Sequence, residues 1–268
     1  MWYLLELEWK KWNKQLVFRI LLGGYLLLLP SLLLVGKKLP DLPPPIGTTD
    51  VLFIFPTVWE YLGYVGNWLS FFFLGFLAVV LITTEHSNKT FRQNIIDGLK
   101  RRDFVLAKIC FVGLIALLAT AYYVLCALII GAFNTDIVIV QKVFQNWMYI
   151  PRYFLMVSGY MYFGLFIGFL LKRTGLSLFL YLSYIMMLEP LLRWGVHQNI
   201  SRHRSMHFYP MNAVEDLLPV PYTDVADEFL QKFGFSLFLQ PWEAIIAVLG
   251  YTALFLFLVF RIVRKSDL

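Results

Sequence analysis

The sequence predicts an all-α membrane protein with six transmembrane helices, and three observations carry that expectation. Hydrophobic residues fill 59% of the 268 positions and charged residues only 15%, whereas a soluble domain carries about a quarter charged residues. Apolar runs approaching the roughly 20 residues that a crossing helix needs recur along the chain, separated by short charged interruptions. The Lys and Arg residues gather at the ends of these runs, where bilayer orientation places them. The formal net charge of +6 therefore reflects membrane topology, and nucleic acid is not an expected partner.

Taken in order, the spans are expected near residues 15–36, 66–84, 104–133, 150–171, 175–189 and 241–260. The first contains Gly23, Gly24 and Pro30, and its one charge, Arg19, lies close enough to the start to snorkel. A Pro-rich stretch at 37–45 excludes regular helix. Residues 51–64, with Trp59 and Glu60, read as a loop with a short interfacial helix. The third span exceeds a perpendicular crossing and so tilts or protrudes. Lys172, Arg173 and Thr174 leave room only for a tight hairpin between the fourth and fifth spans, and Glu189-Pro190 marks the end of the fifth. Residues 191–240 are the longest non-spanning segment and too apolar for a disordered linker. The whole chain, 1–268, reads as a single transmembrane domain.

Six crossings put both termini on one side. Placing them in the cytoplasm gives that face Lys10, Lys11, Lys14, the basic cluster from Lys89 to Lys108, Lys172, Arg173 and the trio Arg261, Arg264 and Lys265. The short opposite loops keep little beyond Lys37, Lys38, Lys142 and Arg152, as the positive-inside rule requires. Residues 191–240 are then extracytoplasmic, and the expected location is the cell's inner (cytoplasmic) membrane.

Residues 1–14 do not read as a secretory signal, because their charges sit among tryptophans and no small-residue cleavage pattern follows. Trp2, Leu5, Trp9 and Trp12 recur at spacings of three and four, with Glu6, Lys10 and Lys14 displaced to other faces. That pattern makes an amphipathic interfacial helix whose indoles sit at headgroup level and whose lysines meet anionic lipid.

The most informative stretch is 85–103. Ser87 or Asn88 is placed to cap a short helix carrying Phe91, Ile95 and Ile96 toward one side, and Gly98 is placed to end it before the basic group Lys100 to Arg102. A short helix held between two spans transmits a push from a soluble partner to both. From charge alone, the same stretch also reads as a solvated basic loop.

In this order of residues the chain resembles the permease subunits of type-2 ABC transporters. There the second span ends in a glutamate, followed by a short helix containing Thr and Arg, a glycine, a basic residue and a lysine near the start of the third span. The corresponding residues are Glu85, Thr90, Arg92, Gly98, Arg101 or Arg102, and Lys108. The resemblance implies that Lys89 to Leu99, with Lys89, Thr90, Phe91, Arg92, Ile95, Ile96 and Gly98, form a coupling helix docked on an ATPase subunit. It further implies Glu85 and Arg92 as polar contacts of a cytoplasmic gate. A dimer of ABC ATPase subunits and a second permease copy, or a homologous permease, are the implied partners, with transport most simply outward.

The chain holds no phosphate-binding G-x-x-x-x-G-K-[ST] loop and no region large enough for a nucleotide-binding domain. It is therefore not expected to be an enzyme or to bind a cofactor, and ATP and magnesium belong to the partner ATPase.

Other features carry less. Gly159, Gly164 and Gly168 allow close helix contact, within the chain or between chains. His197, His203 and His207 invite a metal reading, but interleaved arginines and the lack of any Cys or H-E-x-x-H pattern favour a polar outer loop. The run 210–219 looks like a small outer helix bounded by prolines. Cys110 and Cys126 lie too far apart on one helix to pair. Two alternatives stay open: a secondary transporter coupled through Glu189 or Arg19, and a nontransporting scaffold driven by an ATPase.

Overall fold

The computed structural model describes residues 2–36, 49–201, 204–221 and 238–265. Among these the chain is predominantly helical, with no strand. Helix α1 (Trp2–Trp12) meets α2 (Leu16–Gly36) at a bend of 94°. Arg19 turns back across that bend, its Nη2 donating to the Lys14 carbonyl at 2.9 Å, so the one charge of α2 is drawn to the helix end.

Next come α3 (Val58–Ser87), the short α4 (Thr90–Ile96) and α5 (Arg101–Asn134). They are followed by α6 (Tyr149–Leu171), α7 (Thr174–Ile200), the small α8 (Pro210–Glu215) and α9 (Pro241–Lys265). Among the described residues α3, α5, α6, α7 and α9 are each long and apolar enough to cross a membrane, and the bent pair α1–α2 supplies a sixth candidate. The Pro-rich stretch at 37–45 lies outside the described residues.

Two boundaries differ from the sequence reading. Residues 58–64 are not a separate interfacial helix, because α3 runs unbroken from Val58 through Gly63 and Gly66. These glycines lie on a buried face, where Gly66 abuts the Tyr153 ring and Asn67 accepts a hydrogen bond from Tyr160 Oη at 2.7 Å. Trp59 is buried as well, its Nε1 donating to the Val143 carbonyl at 2.9 Å.

The fifth crossing likewise does not stop at Pro190. Helix α7 continues to Ile200, with wide π-type turns at Tyr184–Leu188 and Leu191–His197 on either side of the proline. A proline ring clashes with the carbonyl four residues back in a regular helix, and local widening of the turn accommodates it. A similar wide turn at Ser70–Leu74 inside α3 frees the Phe71 carbonyl, which accepts a hydrogen bond from Tyr181 Oη of α7 at 2.9 Å.

The core centres on α3 and α6. In their most apolar stretches 72% and 67% of the residues are buried, against 17% in α7 and in α9, which sit at the periphery. Gly164 and Gly168 of α6 face α3, and a Cβ at Gly164 would come within 2.6 Å of the Gly75 carbonyl. The small-residue pattern thus packs inside this chain. Tyr123 and Tyr153 stack at 4.0 Å, and Tyr153 shares a hydrogen bond with Tyr25 of α2 at 2.5 Å, tying α2, α5 and α6 together.

Candidate functional site

At the end of the bundle where α1, α3, α4 and α5 meet, four charged side chains converge. Glu85 lies near the end of α3 and Lys108 two turns into α5, and each is only 1% exposed. Lys108 Nζ stands 2.5 Å from Glu85 Oε1 and 2.5 Å from Glu8 Oε2 of α1. Lys11 Nζ, also on α1, approaches Glu85 Oε1 at 2.5 Å. Trp12 Nε1 donates to Glu8 Oε2 at 3.0 Å, and its ring centroid lies 5.7 Å from the Lys108 ammonium.

Two carboxylates and two ammonium groups make this cluster neutral. Buried charge is costly unless paired and hydrogen-bonded, so each member depends on the others. The fourth element joins through Thr90, the first residue of α4, whose Oγ1 donates to Glu85 Oε2 and lies 3.2 Å from the Glu85 carbonyl oxygen. Glu85 therefore contacts α1, α4 and α5 at once.

The start of α4 differs from the sequence reading. Ser87 and Asn88 do not cap it, because α3 runs on to Ser87 and Asn88 closes that helix, its N–H reaching the Thr84 carbonyl at 2.9 Å. Lys89, at φ 57°, reverses the chain and precedes α4. The end of α4 follows the expected pattern: Gly98 takes φ 97°, its N–H bonds the Ile95 carbonyl at 3.1 Å, and the Leu99 N–H bonds the Asn94 carbonyl at 3.0 Å. This paired arrangement closes helices that end in a left-handed glycine.

The two faces of α4 have different partners. Phe91 is buried, its ring 4.8 Å from Phe104 and 5.3 Å from His86. Ile95 packs partly against the same core. Ile96 does not share that face and is 65% exposed, in company with Lys89, Arg92, Gln93 and Asp97. Arg92 thus lies on the exposed face, and the ion-pair partners of Glu85 are Lys11 and Lys108.

Sequence reasoning placed Glu85, Thr90 and Lys108 in order but missed Glu8 and Lys11. A signal was present: Glu8 and Trp12 are one turn apart on the face of α1 that also carries Leu5, and a lysine inside an apolar run needs an anion. The tryptophans of α1 divide accordingly. Trp12 is fully buried in the protein, whereas Trp2 is 81% exposed and Trp9 37%, so only the last two are free to meet a membrane surface.

At the other end of the bundle Glu189 is also buried, but it serves the fold. Its carboxylate accepts the N–H groups of Met211 at 3.1 Å and Asn212 at 2.6 Å, fixing the start of α8. Asp216 accepts from Asn212 Nδ2 and from the Leu239 N–H, each at 2.9 Å. Burial pushes the Asp216 carboxyl up to about 7 and also raises that of Glu215. His197 bonds Ser205 and the buried His207 lies 3.4 Å from Arg193 Nη2. His203 lies outside the described residues, among which no three potential ligands come together as a metal site.

Fold and site together define a multi-pass helical membrane protein whose first helix, second span and third span are locked by one buried charge cluster. The sequence profile of the ABC-2 family transporter proteins matches residues 4–188, and the chain belongs to that family. The matched range contains all four charged residues and α4. No curated protein matches the chain in sequence. The protein is accordingly a permease component of an ABC transporter, and the family implies association with an ABC ATPase.

Proposed function

We propose that this permease is an ATP-driven exporter worked by a separate ATPase subunit through α4. The observation that carries the reading is the contact between Thr90 and Glu85, because it ties the exposed helix to the cluster joining α1, α3 and α5. Force applied to the outer face of α4, at Lys89, Arg92 and Ile96, reaches the ends of two spans through a linkage with few soft joints. The buried face, with Phe91 and Ile95, keeps α4 from sliding independently of the bundle.

In this reading both termini and α4 face the cytoplasm of an inner-membrane protein, where ATP and magnesium are held by a pair of ATPase subunits. A second permease, identical or homologous, completes the pathway. Trp2 and Trp9 rest against the lipid surface. Closure of the ATPases on ATP then exchanges inward and outward exposure of the pathway between the permeases.

Secondary transport through Glu189 is less well supported, since both carboxylate oxygens already accept backbone N–H groups. Arg19 is likewise engaged at a helix end. Purification of the chain from its native membrane tests the proposal. An ATPase co-purifies and vesicles reconstituted with both proteins move substrate only with ATP. Transport by the chain alone without ATP overturns it, and nucleotide turnover with no substrate movement favours a scaffold.

A further inference from the structure

The last helix carries a feature that coupling does not use. Along α9, Phe257, Phe260, Arg261, Arg264 and Lys265 fall at helical spacings of three and four and line one groove of about 550 Å3. The opposite face of the same turns, Phe255, Val259 and Val263, is buried in the bundle. The groove therefore looks away from the protein core, with its two phenylalanines nearer the middle of α9 and its cations toward the end of the helix.

None of the three cations forms an ion pair among the described residues. The backbone at the same end is already neutralised, because Arg101 Nη1, at the start of α5, donates to the Val263 and Arg264 carbonyls at 3.3 Å each. Among the described residues, the excess positive charge of the groove thus has no counterpart within it. From Phe257 to Lys265 the helix rises about 12 Å, roughly the distance from upper acyl chain to phosphate, and long basic side chains at such a helix end reach toward the headgroup layer.

We propose that this groove is a binding site for an anionic phospholipid, with the phosphate held by Arg261, Arg264 and Lys265 and the acyl chains lying on Phe257 and Phe260. Charge complementarity selects the ligand: a zwitterionic lipid brings its own cation and leaves the three side chains unneutralised. Because Arg101, the first residue of α5, bonds this helix end and follows α4 after the short link 97–100, lipid occupancy bears directly on the segment leading into α5. The proposal rests on the membrane assignment and not on coupling to an ATPase.

The test uses the full-length permease alone, without nucleotide, in nanodiscs of phosphatidylcholine carrying a photoreactive phosphatidylglycerol probe. Cross-links mapped by mass spectrometry are expected at residues 257–265, displaced by unlabelled phosphatidylglycerol and not by phosphatidylcholine. Replacing Arg261, Arg264 and Lys265 together by Gln lowers probe affinity on the order of a hundredfold, as expected for three basic side chains at a membrane surface. Phe257→Ala with Phe260→Ala, which keeps all three charges, lowers it less and preserves the lipid preference.

Equal labelling by a phosphatidylcholine probe, or undiminished labelling of the triple variant, overturns the proposal. So does the absence of labelling at residues 257–265 in the ATPase-free permease. Each outcome is independent of whether ATP drives transport.

Discussion

Lys108 and Glu85 meet 2.5 Å apart with each side chain 1% exposed, and Lys108 reaches Glu8 at the same distance. Removing Lys108 takes the ammonium away from Glu8 and leaves Glu85 with Lys11 alone, so the buried cluster carries an excess negative charge. Lys108→Leu is expected to cost about 3–5 kcal/mol, seen as lower thermal stability in detergent. Glu85→Leu combined with Lys108→Leu is expected to cost less than either single change, because no full charge is stranded from that pair. A double variant as damaged as the sum of the singles would count against the pairing.

Gly98 sits at φ 97° with open space around its Cα. A side chain there meets no neighbour, so the penalty of Gly98→Ala is that of the backbone alone, about 1–2 kcal/mol. Amide exchange through residues 93–99 is expected to accelerate, while the core helix α6 keeps its protection. Gly98→Asn, which tolerates the left-handed region better, is expected to fall between Gly and Ala. Equal exchange in all three proteins contradicts the role assigned to this residue.

The region around α8 is expected to loosen as pH rises. Burial lifts the Asp216 carboxyl from 3.8 to about 7, opposed by the Leu239 N–H and by Arg193. The folded state thus retains a proton that the unfolded chain loses above about 3.8. Stability from this group is complete below that value, is lost progressively up to about pH 7 and is level beyond. Intrinsic-rate-corrected exchange at residues 210–218 is expected to show greater protection at pH 5 than at pH 8. Asp216→Asn flattens the profile, and an unchanged slope in that variant argues against Asp216 as its source.

Much of the fold was legible because bilayer solvation imposes a simple rule on composition: apolar runs bounded by Lys and Arg become helices. Two errors share one cause. Trp59 with Glu60 and Glu189-Pro190 read in isolation as an interfacial segment and a helix end, but burial of Trp59 in the bundle and wide turns flanking Pro190 keep their helices whole. At the site, local order along 85–103 identified Glu85, Thr90 and Gly98. The ion-pair partners of Glu85 come from residues 11 and 108, with Glu8 pairing to the same Lys108, and a linear sequence does not show which distant lysine neutralises a given carboxylate. Ile96 was misplaced for a smaller reason: α4 is only seven residues long, so one residue of phase decides whether a side chain faces the core or water.

The exposed face of α4 offers the cleanest separation of docking from folding, since Arg92 and Ile96 are exposed whereas Glu85 and Lys108 are buried. Arg92→Glu with Ile96→Asp is expected to leave membrane insertion and thermal stability unchanged. The decisive measurement is the affinity of the purified partner ATPase for the reconstituted permease carrying these two substitutions. The account predicts a loss of at least about tenfold, a change of roughly 1.4 kcal/mol, with loss of ATP-driven transport. Unchanged affinity and unchanged transport in a correctly folded variant would contradict the role of α4 as the helix on which the ATPase acts.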